Sequence, residues 1–182
     1  MPSSSDPTAR PSYGSGRAAI VVMGVAGSGK TTVGKRLAEK LGAEFVDGDD
    51  LHTAAARAKM GAGHALDDAD RWPWLDRIAA ALADPAAPRG KVVACSALKR
   101  AYRDRLRAGV GTALRFVYLD ADPELMRARV AGRRHHYMPA SLVDSQFAAL
   151  EPPIGEADVV TLAADADLYV AIPQLARELA RG

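Results

Sequence analysis

The chain has 182 residues, enough for one domain with a real core and too few for two comfortable ones. Hydrophobic residues make up 48% of it, and 24 Lys plus Arg face 22 Asp plus Glu for a net charge of +2. That balance leaves no electrostatic footprint for a nucleic acid or a membrane surface, so any basic cluster is local and suits a small anion. Cys95 is the single cysteine, which excludes an intrachain disulfide and a cysteine-based metal site. No apolar run approaches the ~18 residues of a membrane span, and the first residues lack the basic-then-apolar layout of a secretory signal. A cytoplasmic location is the expectation.

In chain order, residues 1–17 are rich in Ser, Pro and Gly and read as a disordered tail, with one folded domain over 18–182. An apolar strand is expected at 18–23. It runs into Gly24-Val-Ala-Gly-Ser-Gly29-Lys30-Thr31, the G-x-x-x-x-G-K-[ST] phosphate-loop pattern, and then into a helix over 30–41. Strand, loop and helix are the setting that gives this pattern its meaning. Its backbone N–H groups turn inward around phosphate oxygens, and the helix N-terminus adds partial positive charge. The candidate nucleotide contacts are Gly24, Ala26, Gly27, Ser28, Gly29, Lys30, Thr31 and Thr32. Lys30 reaches the β/γ-phosphates, and the Thr31 hydroxyl ligates Mg²⁺.

A second strand, 43–46, ends in Asp47-Gly-Asp49-Asp50-Leu-His52. Carboxylates at a strand end face the phosphoryl group from the acceptor side. Asp47 can hold Mg²⁺ or its waters, and Asp49 can orient or deprotonate an acceptor hydroxyl. Helices are expected over 53–60 and 70–83, the second broken by Asp84-Pro-Ala-Ala-Pro-Arg-Gly90. The strand at 91–95 holds Cys95 as a small buried filler and leads into Ser96–Arg100 and a helix over 99–107. Arg100, Arg103, Arg105 and Arg107 on that helix read mostly as a solvated face. A strand at 115–119 precedes Asp120, taken as the N-terminal cap of a helix over 122–131. The basic run from Arg127 to His136 suits a lid that closes on phosphates. Helices over 141–149 and about 171–180 flank a last strand at 158–162, and Pro173 leaves the start of the final helix open.

Apolar strands spaced by helices give an α/β fold with a parallel sheet covered on both faces. No N/TKxD motif accompanies the loop, and the chain contains no Asn, against a guanine-nucleotide switch. No carboxylate ends the 91–95 strand, against a motor ATPase. Small kinases fit better.

Several blocks beyond the phosphate loop are more discriminating: Gly48-Asp-Asp-Leu-His52, Leu66-Asp-Asp-Ala-Asp-Arg71-Trp-Pro-Trp-Leu75, Ala94-Cys-Ser-Ala-Leu-Lys-Arg100, and Ser145-Gln-Phe-Ala-Ala-Leu-Glu-Pro152. With them the chain resembles the gluconokinase family from about residue 18 to the final helix. The resemblance implies a five-stranded P-loop kinase with a mobile lid near 131–140, similar to shikimate and nucleoside-monophosphate kinases. It implies ATP- and Mg²⁺-dependent phosphorylation of D-gluconate to 6-phosphogluconate by an enzyme that is often a dimer. Substrate contacts would come from Asp49, His52, Arg71, Lys99 and His136, with Arg71 gripping the carboxylate. Arg129 would lie against adenine and Arg133 would act from the lid on the phosphates. The alternatives are a kinase for another small hydroxy acid, such as shikimate or glycerate, and a nucleotide-binding regulator without transfer activity.

Overall fold

A computed structural model describes residues 16–132 and 140–180. Arg133, Arg134 and His136 of the expected lid, and the tail up to residue 15, lie outside the described residues. Five strands form one parallel sheet: β1 (Ala18–Met23), β2 (Glu44–Asp47), β3 (Gly90–Ala94), β4 (Arg115–Asp120) and β5 (Val159–Ala163). Their order is β2-β3-β1-β4-β5. Each strand lies within one residue of its expected bounds.

Side-chain alternation along β1 explains the layers. Ile20 and Val22 pack with Val33 and Leu37 of α1 (Lys30–Leu41) and with Ile172, Leu175 and Ala176 of α7 (Leu168–Leu179). Val21 and Met23 point the other way, onto Trp74, Leu75 and Ile78 of α3 (Asp68–Ala83) and onto Tyr102 and Leu106 of α4 (Arg100–Val110). A third, smaller cluster sits under the phosphate loop. It joins Val25 and Ala26 to Leu98, to Met126 and Val130 of α5 (Pro123–Ala131), and to Val143 of α6 (Ala140–Ala149). The short α2 (Ala54–Gly61) follows a 3₁₀ turn at Gly48–Leu51. No helix among the described residues is long and apolar enough to cross a membrane.

Three local expectations are corrected. α3 starts at Asp68 instead of 70, because Asp67 and Asp70 form a capping box that satisfies the first N–H groups. α7 starts at Leu168, capped by the Asp167 side chain. Pro173 sits inside α7 and forfeits one backbone hydrogen bond, which burial of Ile172, Leu175 and Ala176 offsets. The cap of α5 is Asp122, which accepts from the Leu125 N–H at 2.9 Å, while Asp120 ends β4 and accepts from the Tyr118 hydroxyl. Cys95 is buried as expected, and burial pushes its thiol up to about 12, so it is inert.

The basic face of α4 also departs from the expectation. Arg103 is fully buried. Its guanidinium donates to the carbonyls of Ala97, Leu98 and Glu151 and forks onto the Glu156 carboxylate. Arg107 bridges Glu156 and Asp158 from the same helix. This network clamps the loop after β3 to the segment between α6 and β5. The loop needs holding, since Ala97 adopts a left-handed backbone at φ 42°.

Arg103 first, and then Arg107, hold Glu156 down to about 2. Because this lies below the unfolded value of 4.5, the stabilisation is complete above that pH and fades as pH falls toward 2. Urea unfolding between pH 6 and 3 should show a falling stability, with this carboxylate supplying on the order of 2 kcal/mol of the fall. Glu156→Gln should flatten that limb.

Candidate active site

The chain leaves β1 toward β2 on one side of the sheet, and leaves β3 toward β4 on the other. The crevice between β1 and β3 is therefore the switch point where open α/β sheets bind ligands. A cavity of about 200 Å³ opens there. It is walled by the phosphate loop, by Asp47 and Asp49 after β2, by Cys95 and Ser96 after β3, and by Gln146 of α6.

The loop is shaped for a ligand. Gly29 has φ +95°, and a Cβ built there would meet no protein atom within 4 Å, so the loop faces open space at that point. Ser28 Oγ is buried without a hydrogen-bond partner among the described residues. The Gly24 N–H is tied to the Ser96 carbonyl at 3.3 Å, and Lys30 Nζ donates to the Val25 carbonyl at 2.9 Å. The loop thus offers inward donors and a cation to anionic oxygens. Thr31 Oγ1 lies 3.5 Å from Asp47 Oδ2 across the cavity mouth. A hydroxyl and a carboxylate are the hard oxygen donors that suit Mg²⁺ held otherwise by water and phosphate. Among the described residues no cluster of three or more acidic, His or Cys side chains forms an all-protein metal cage.

On the acceptor side the 3₁₀ turn stands directly on the sheet edge. A Cβ at Gly48 would fall 2.4 Å from the Ala94 carbonyl oxygen. Trp74 Nε1 of α3 donates to the Gly48 carbonyl at 2.6 Å, and Arg77 reaches the carbonyls of Leu51 and His52. The Asp49 N–H is held by Asp47 Oδ1, leaving its own carboxylate 86% exposed at the cleft. The surrounding protein, and after it the Asp47 carboxylate, push Asp49 up, while His52 and Lys30 pull it back.

His52 is not presented to the cleft as expected. It is buried and stacked on Trp74, with ring centroids 4.3 Å apart. Desolvation lowers its pKa, so the ring is neutral, and Nε2 lies 3.9 Å from Asp49 Oδ1. The place of His52 is behind Asp49, because the α3 tryptophan covers it.

Arg71 and Lys99 do converge, from the start of α3 and the start of α4, but a third residue stands between them. Asp68 accepts from Lys99 Nζ at 3.0 and 3.1 Å, lies 3.5 Å from Arg71, and accepts from the Tyr102 hydroxyl. Arg71 in turn donates to the Tyr102 oxygen at 2.9 Å. The Tyr102 and Lys99 hydrogen bonds hold the Asp68 carboxyl below the usual range. This cluster is a seat for a carboxylate, filled by one of the protein's own.

Arg129, at the end of α5, donates to the Ala164 carbonyl just past β5. Thr32 lines the same cavity as the loop. Sequence reasoning missed Gln146, whose Oε1 accepts the Ala26 N–H at 2.6 Å. It also missed Asp68 and Tyr102. The only signal for Gln146 was its place in the Ser145–Pro152 block, since a neutral amide on a helix carries no charge pattern.

A family profile described as "AAA domain" matches residues 20–153. A probable gluconokinase of Schizosaccharomyces pombe (strain 972 / ATCC 24843) is 48% identical over 153 residues, covering 80% of this chain and 79% of that protein. The crystal structure of a gluconokinase from Sinorhizobium meliloti 1021 is 42% identical, with a TM-score of 0.79 over 94% of each chain. Shikimate kinase from Aquifex aeolicus vf5 shares the fold alone, at 15% identity and a TM-score of 0.53, over 88% of this chain and 94% of that one. The chain belongs to the AAA-domain family and, within it, to the gluconokinases.

Proposed function

We infer that the protein is a kinase that moves the terminal phosphoryl group of ATP onto D-gluconate, giving 6-phosphogluconate. The observation that carries this is a phosphate loop and an acceptor-side carboxylate opening into one cavity, in a chain of the gluconokinase family. Lys30 and the amides of Gly27 and of Gly29 to Thr32 carry the phosphate charge, the Ala26 N–H being taken by Gln146. Asp49 orients the acceptor hydroxyl and takes its proton, supported by its place across the cavity from the loop. Mg²⁺, when bound, neutralises phosphate charge, and Thr31 and Asp47 are the residues that would hold it or its waters. Arg129 lies on the adenine side, while Arg133 and His136 keep their proposed lid and substrate roles from sequence alone. With so little covalent chemistry required, positioning and electrostatics supply most of the rate.

Arg71 and Lys99 take the gluconate carboxylate in this reading, which means that the substrate displaces or shares Asp68. Asp68→Asn should therefore lower the KM for gluconate about two- to fivefold at an unchanged kcat. A raised KM would instead make Asp68 an acceptor contact. The proposal includes a cytoplasmic enzyme, where ATP is supplied, with neither nucleic acid nor membrane as partner. It also includes a homodimer, which sedimentation would read.

The deciding experiment is ADP release with Mg-ATP against D-gluconate, shikimate, glycerate and no acceptor, with the product mass checked. Stimulation by gluconate alone, with a product heavier by one phosphoryl group, is expected. Stimulation by another acid would move the substrate assignment, and none by any acid would leave a nucleotide-binding protein.

A further inference from the structure

Gln146 reaches the phosphate loop from a helix 120 residues away in sequence. Its placement is built from both ends. Val143, one turn earlier on the same face of α6, is fully buried against Val25, Ala26 and Met126. Beyond the helix, the Glu151 N–H donates to the Leu98 carbonyl and the Glu151 carboxylate accepts the Arg100 N–H. The side chain is thus carried on an anchored frame into the cavity that Lys30, Thr31 and Asp49 also line.

The hydrogen bond to Ala26 also fixes which way the amide faces. A backbone N–H can only donate, so the atom against it is the carbonyl oxygen Oε1. The other atom of the carboxamide is then Nε2, a donor on a side chain that lines the cavity. Asp47 and Asp49 already make the opposite wall acidic, and a neutral donor suits a site that must also admit phosphate. A tie serving the loop alone would need only the oxygen.

We propose that Gln146 is a catalytic residue of phosphoryl transfer: anchored through Oε1 to the Ala26 N–H, it donates from Nε2 to an oxygen of the terminal phosphoryl group. The contact exists with a nucleoside triphosphate and is lost with the diphosphate. It rests on the nucleotide half of the proposed function and is independent of the acceptor.

The decisive variant is Gln146→Glu, which keeps an oxygen for Ala26 and replaces only the donor with an anionic oxygen. Calorimetric binding of a non-hydrolysable ATP analogue and of ADP reads the contact without turnover. We expect the variant to weaken the analogue by about tenfold or more, and ADP by less than about threefold. Gln146→Leu should lower kcat about 10- to 100-fold, with the acceptor KM little changed. Equal weakening of both nucleotides, or binding and kcat like the parent protein, would overturn the proposal. Thermal melting of each variant guards against a folding defect. If gluconate fails to stimulate the parent protein, the substrate reading falls, while the ratio of the two affinities still decides the role of Gln146.

Discussion

Replacing Arg103 with leucine is expected to destabilise the protein by roughly 3–5 kcal/mol, the cost of breaking a buried ion pair by removing one partner. The guanidinium is fully buried and satisfies three carbonyls besides the Glu156 carboxylate. Leucine leaves those carbonyls unpaired and strips one of two cations from Glu156, with Arg107 remaining. For a domain of this size each kcal/mol moves the melting temperature by about 2–4 °C, so a fall of about 6–20 °C should be seen. Adding Glu156→Gln to the leucine variant should recover part of the loss, because a buried charge left with one of its two cations goes with it. Loss of less than about 1 kcal/mol would show that the network is a surface-like pair. Catalysis should suffer as well. Two of the carbonyls that Arg103 holds, those of Ala97 and Leu98, belong to the loop that carries Lys99, so the acceptor KM is expected to rise in the folded fraction.

Lys30→Met is expected to have the opposite profile, lowering turnover at least about 100-fold while leaving the fold intact. The ammonium is the one cation on the loop itself, folded onto the Val25 carbonyl and lining the cavity. Methionine keeps most of the apolar stem, one atom shorter, and removes the charge together with its hydrogen bond to Val25. Melting temperature should stay within about 4 °C of the parent protein, which separates a catalytic loss from an unfolded chain. Turnover near the parent value would overturn the assignment of the loop as the phosphate site.

The sheet was legible because its inner strands β1, β3 and β4 are apolar runs buried on both faces, and the loop because its glycines and Lys30 fall between a strand and a helix. Less legible features arise where distant segments meet. Arg103 lies on the same face of α4 as Leu106, so its burial was written in the periodicity, yet its charge pointed to solvent. Its compensating partners come from residues 151–158, which no local reading of α4 contains. His52 belongs to the acidic turn in sequence, but Trp74 of α3 decides its burial. Arg71 and Lys99 were recognisable as candidate cations for an acidic substrate. Their neutralisation by Asp68 depends on how the start of α3 meets the start of α4. In the Leu66–Leu75 block the same carboxylates also serve as caps, so Asp67, Asp68 and Asp70 divide between ending a loop and filling a site.

The contact between Gly48 and the end of β3 works as a gauge. Between the Asp49 turn and the Ala94 carbonyl there is room for a hydrogen atom and none for a methyl group. The reach of the acceptor carboxylate toward the phosphate loop is thus set by backbone against backbone, with no side chain in between to flex. A single added carbon at this position would act as a shim: it would lift the turn off the sheet edge and lengthen the span that the two reacting groups must cross, while leaving both of them chemically intact.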